Sequence, residues 1–352
     1  MKGWALAFLA VTVLLGLLLR AEFVTGWLAA HDLQFTHLRH AHSHLGFWGV
    51  LTLVWWAVAR RENATLVSRA GVAFYLACSA VVGTLFAFLG YRALTGALSG
   101  VMAAFWLMTS WRQFRMRLPA SWLDATPPAM LMATLLVPVV ALTARKDPAF
   151  SRSLAHVFIG GLMLTGFLPV AWAALRVPRR QPVWLYLILA ESLAAFMAFP
   201  EHMNIVGAVM GAGFSVVLVQ NLVGARLPMH LRITWLGLPV MVALWVIFPF
   251  FRGDPWRVAG IHFMVLGAML PSFQHALVPD VPFGIRLAYQ VTLWPMLGSI
   301  VAPLVLPWSG WPSVAAVTAG GFVFVVVAAV MVLLARRVGG GRAPQVVTSS
   351  TL

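Results

Sequence analysis

The chain has 352 residues, of which 61% are hydrophobic and only 9% charged. No soluble domain of ordinary size needs that much apolar surface, so the composition excludes one and points to an all-α integral membrane protein. The net charge of +15 does not mark a nucleic-acid partner, because the arginines stand in short clusters between apolar runs, as topology signals do. The single cysteine, Cys78, excludes an intrachain disulfide, a Cys-x-x-Cys-His haem attachment site and a thiolate cluster.

A membrane span needs roughly 20 apolar residues. Reading the runs against arginine, proline and glycine predicts about twelve transmembrane helices, near 4 to 27, 41 to 59, 70 to 90, 93 to 111, 127 to 144, 154 to 175, 182 to 200, 203 to 223, 233 to 251, 257 to 278, 285 to 306 and 312 to 335. The first is expected to be a retained helix and not a cleaved signal, because Arg20 interrupts the run ahead of "LAA" at 28 to 30. Basic residues gather after the even-numbered runs: Arg60, Arg61 and Arg69; Arg112, Arg115 and Arg117; Arg176, Arg179 and Arg180; Arg226 and Arg232; Arg286; Arg336, Arg337 and Arg342. After the odd-numbered runs they are fewer, with Arg145, Lys146 and Arg152 the main exception. Positive loops stay inside, so both termini are expected in the cytoplasm of a bacterial inner membrane. Every even-numbered helix then runs from outside to inside. Residues 1–335 form one membrane domain, and the Gly-rich polar stretch 336–352 is expected to be a disordered tail.

Residues 40 to 49 read "HAHSHLGFWG", three histidines at the mouth of the second run. His156, His202 and His262 stand at the corresponding ends of the sixth, eighth and tenth runs, while His275 falls roughly 20 Å deeper than His262 at about 1.5 Å per residue. The four helices share His-x-x-x-x-Gly, at His44–Gly49, His156–Gly161, His202–Gly207 and His262–Gly267. Five residues turn a helix by about 140°, so the glycine lies off the histidine's face and its plainest role is close helix packing. Ionisable groups inside a membrane usually face the bundle interior, a cavity or a cofactor. Neutral imidazoles at one depth suit metal or haem ligation, the second ring nitrogen donating to a carbonyl or carboxylate. His37, His40 and His44 fall on one helix face and His42 on another. Either His40 and His44 look into the bundle, or His42 does so alone.

These residues resemble the haem-copper oxidase superfamily, the catalytic subunits of terminal oxidases and nitric oxide reductases. The tenth helix of that family begins Val-Ala-His-x-His-aromatic, and residues 258 to 269 here read "VAGIHFMVLGAM". The low-spin haem ligand of the family falls on His262, opposite a helix-two histidine, and the ligand of the catalytic haem falls on Gly260, where the histidine is lacking. His156 lies on the helix that carries the family's first copper ligand, without the neighbouring tyrosine, and the adjacent His-His pair of helix seven is missing. The "HAH" entry to an early helix and the "IHFMVLGAM" stretch are also similar to the haem- and copper-containing membrane proteins of the nitric oxide response. The resemblance implies a haem-copper-oxidase-like bundle, haem b between His44 or His42 and His262, and copper or a second haem at His40, His156 or His202. It implies an oxidoreductase role in electron transport, or divergent oxygen or nitric oxide chemistry, fed by a quinol or cytochrome donor.

Glu191 is the one carboxylate well inside a run, as a structural polar contact or a proton relay, and Glu201 is a partner for His202 or a loop acid. Arg252 and Arg257 are placed to neutralise haem propionates or to snorkel. Trp48 could stack on a porphyrin, while His31 and His37 are expected to be solvated and His230 to lie in a loop. Two other classes compete: a transporter or copper-handling protein using the outer histidines as an entry site, and a non-catalytic assembly subunit.

Overall fold

The computed structural model describes residues 1–62, 64–116, 121–143, 146–199, 205–248, 254–279, 281–304, 306 and 309–339. The described residues are helical almost throughout, with no strand among them. In chain order we name α1 (Lys2–Thr25), α2 (35–61), α3 (Arg69–Leu89), α4 (Ala93–Arg115), α5 (Thr126–Thr143), α6 (148–174), α7 (Val183–Ala198), α8 (Ile205–Val223), α9 (Met229–Ile247), α10 (254–277), α11 (Phe283–Val301) and α12 (Trp311–Gly339). Among the described residues nine helices are long and apolar enough to cross a membrane, which makes this a multi-pass membrane protein of the all-α class. The other three runs are helical too. α2 opens on ten largely polar residues, α7 has 16 residues, and α11 carries Arg286.

Several ends follow from local chemistry. Ser68 caps α3 by accepting from the Gly71 N–H at 3.1 Å, and Asp147 caps α6 by accepting from Phe150 at 2.9 Å, with Pro148 at the first helical position. At the arginine-rich ends, basic side chains close helix C-termini that have no intrahelical donor. Lys2 Nζ donates to Leu277 O of α10 at 2.6 Å, and Arg61 Nη1 donates to Ala174 O of α6 at 3.3 Å. The residues that read as topology signals are therefore also cross-links. Arg336–Gly339 continue α12, and residues 340–352 of the expected tail lie outside the described residues.

α6 packs against both α2 and α10 at their C-terminal halves, while α1 closes against α2 and α12. α2, α6 and α10 form the centre. Leu45 and Trp48–Ala59 of α2 and Gly161–Ala174 of α6 are buried without a break, and Trp55, Trp56, Trp172 and Trp235 are among the fully buried tryptophans of the core. Their indole nitrogens are paired where a partner is near: Trp55 donates to Gln113 at 2.6 Å and Trp235 to Ser272 at 3.0 Å.

Each central helix contains a π turn, at Leu45–Leu51, Leu162–Phe167 and Phe263–Met269. At its end the N–H of Thr52, Leu168 or Leu270 reaches back five residues, to the carbonyl of Phe47, Met163 or Val265. When the ladder returns to its four-residue step, the next carbonyl, that of Trp48, Leu164 or Leu266, is passed over. A carbonyl left unpaired away from water is costly. In all three places a tyrosine of the following helix donates its hydroxyl to it: Tyr75 of α3 to Trp48 (3.2 Å), Tyr186 of α7 to Leu164, and Tyr289 of α11 to Leu266 (2.6 Å). Three of the four tyrosines in the chain do this one job. The bundle thus carries a threefold internal pattern of central helix, π turn and tyrosine clamp. α1, packed on α12, stands where a fourth helix of the third unit belongs.

Candidate functional site

Three of the histidines at the mouth of α2 turn toward α3. Gly90 has φ +60°, and a Cβ there would lie 2.3 Å from the His37 ring, so glycine is required for both backbone and space. His37, expected to be solvated, is half-buried in that place. His40 packs edge-on against Tyr91, centroids 4.5 Å apart. His44 packs against both Trp48 (4.4 Å) and Phe86 (4.3 Å), with its Nε2 3.0 Å from the Tyr91 hydroxyl. A neutral imidazole so held is stacked and hydrogen-bonded at once. Trp48 is committed to this cluster.

His42 points the opposite way, against α1 and α10. Its Nδ1 lies 2.7 Å from Thr12 O. A carbonyl only accepts, so the proton resides on Nδ1 and the Nε2 lone pair is left for a ligand. His262, at the end of the first segment of α10, repeats the arrangement within its own helix, with Nδ1 donating to Val258 O at 2.8 Å. Neither Nε2 has a hydrogen-bond partner among the described residues. The rings are nearly parallel, 16° between planes, with centroids 6.2 Å apart.

A metal ion ligated by both imidazoles would set their spacing. Metal–imidazole bonds of about 2.0 Å put the two ring centroids roughly 6 to 6.5 Å apart. A carbonyl on the far nitrogen of each ring is also the usual device for orienting a metal-bound histidine. In spacing and in tautomer the two histidines suit an iron whose remaining ligands would come from a tetrapyrrole, which needs only two side chains from the protein.

Among the described residues the remaining candidates are not brought to this pair. His156 lines a separate, largely apolar pocket between α6, α7, α8, α9 and α10, together with Arg257, Trp245 and Gly260. Arg257, weighed in the sequence as a propionate partner, faces that cavity and donates to Met197 O at 3.3 Å. His202, Glu201 and Arg252 lie outside the described residues. Among the described residues no three His, Cys, Asp or Glu side chains converge on one point. Glu191 accepts from Thr165 Oγ1 at 2.8 Å, and a Cβ at Gly161 would lie 2.6 Å from its Oε2, so the carboxyl is seated against the entry to the α6 π turn. His230 is in the first turn of α9 and not in a loop. The repeated glycines serve different contacts: Gly49 admits Phe8 of α1 and Gly161 admits Glu191, whereas Gly267 meets only Phe263 of its own helix.

The tyrosine clamps were missed in the sequence, although three tyrosines 22 to 27 residues beyond the carbonyls they close are a usable signal. Comparison with protein-family models, with curated proteins and with solved structures finds no match.

Proposed function

We propose that the chain is a b-type haem protein of a bacterial inner membrane, with twelve spans and both termini cytoplasmic, that holds one low-spin haem between His42 and His262 near the outer face. The observation that carries this reading is the pair itself: two nearly parallel imidazoles at 6.2 Å, each with its Nδ1 proton on a carbonyl and its Nε2 unpartnered. A central trio of helices with the pair on the second and tenth supports the likeness to the haem-copper oxidases. The haem, when bound, supplies one-electron chemistry.

The protein's part is binding and orientation. Thr12 O and Val258 O hold both rings in one tautomer and one rotation, which keeps the ligand nitrogens free of competing hydrogen bonds. Held by both His42 and His262, the haem would take two ligands from the protein and would offer no place to a gas, and the role this supports is electron transfer, fed by a quinol or a separate cytochrome. The test is a reduced-minus-oxidised optical spectrum of the purified chain and of His42→Ala and His262→Ala. A sharp b-type α-band lost in each variant is expected. A wild-type protein that purifies folded and colourless from haem-replete cells would sink the reading.

A further inference from the structure

α1 meets His42 along a single line of its surface. Thr12, Gly16 and Arg20 are spaced four residues apart and share that face. Thr12 accepts the Nδ1 proton, and Gly16 makes room for the ring, since a Cβ there would lie 3.1 Å from His42 Cε1. Arg20 comes one turn further along the same face, toward the end at which His42 and His262 lie. It is half-buried and has no hydrogen bond or ion pair among the described residues. The two imidazoles offer it no negative charge. The neighbouring Glu22 carboxylate accepts from the Leu28 N–H at 2.6 Å. A guanidinium at such a place calls for an anion, and Arg257 is turned to the other cavity.

We propose that Arg20 binds the carboxylates of the tetrapyrrole held between His42 and His262, so that the acidic edge of the cofactor faces α1 at the histidine end of the bundle. This assignment rests on the haem reading above. Planar, bidentate pairing of carboxylates is what arginine does better than lysine. The alternative source of negative charge is a lipid phosphate reached by snorkelling.

The test is titration of full-length apoprotein from haem-depleted cells, in nanodiscs of zwitterionic lipid, with haem b and with its dimethyl ester, read at the α-band. Wild type, Arg20→Ala and Arg20→Gln are compared, with thermal unfolding of each apoprotein as the check on folding. Both substitutions are expected to weaken haem b by roughly ten- to hundredfold, the scale of charge-assisted hydrogen bonds, and to leave the dimethyl ester unchanged. Unchanged haem b binding, or equal weakening of acid and ester, overturns the assignment and leaves Arg20 to the lipid or to packing while the bis-histidine haem stands. Wild type that binds neither compound overturns both.

Discussion

α6 and α10 are built alike through their middles: a π turn, a passed-over carbonyl and a tyrosine from the next helix to close it. α2 has the same device. Above the π turns the likeness stops, for α10 offers His262 to His42 of α2, whereas α6 offers His156 to an apolar cavity beside Gly260. What recurs in three places answers a need that any buried π turn has, which is a donor for its spare carbonyl. What occurs once among the described residues, a near-parallel pair of imidazoles each with its Nδ1 on a carbonyl, answers no need of the backbone. Architecture and candidate site are thus separable within a single chain.

The sharpest way to break this division is at the histidines. His42→Ala and His262→Ala should each abolish the b-type α-band, while His44→Ala and His156→Ala should retain it. A spectrum lost equally in all four would dissolve the distinction between the pair and the rest. Next come the clamps. Tyr75→Phe, Tyr186→Phe and Tyr289→Phe each leave a buried carbonyl unpaired and should cost about 1–3 kcal/mol apiece, seen as similar losses of thermal stability in detergent. Combined in pairs they should add, since the three clamps close carbonyls of three different helices. If one clamp proves several times costlier than the others, the threefold pattern is not a set of equivalents. Gly16→Ala should act more narrowly, because its new Cβ would stand 3.1 Å from His42 Cε1. A shifted or broadened α-band with little change in unfolding temperature is expected, and an unmoved band would mean that the ring is not seated against α1. The smallest effect belongs to Tyr91→Phe, which removes one hydrogen bond to His44 worth about 1 kcal/mol. It should leave the spectrum untouched.

Much of this organisation could be read from the residues. The apolar runs and the arginine clusters marked the helices well, because length and polarity are summed over many residues. The shared face of His37, His40 and His44 followed from helix geometry, and all three do lie on the α3 side. Which face looked toward α10 did not follow, since it depends on how α1 and α3 flank α2. Thr12 and Gly16, the residues that receive His42, are 26 or more positions away in sequence. The π turns were hidden for a related reason. Inserting one residue in a helix shifts every later side chain by about 100°, and an all-round apolar segment such as Leu45–Ala59 shows no break in periodicity when that happens. Arg20 drew notice only as an interruption of an apolar run. Its place beside His42 depends on the stripe it forms with two residues that carry no charge.

The pairing of His42 with His262 also sets a clock. The two histidines leave the ribosome 220 residues apart, roughly ten to forty seconds of synthesis. Through that interval α1 already offers the Thr12 carbonyl, yet the opposing imidazole and α12, the helix against which α1 packs, do not exist. A two-sided cradle is therefore a property of the nearly finished chain, and no nascent fragment that stops short of α10 can present it. A ligand held from both sides can therefore be fully seated only once α10 is in place.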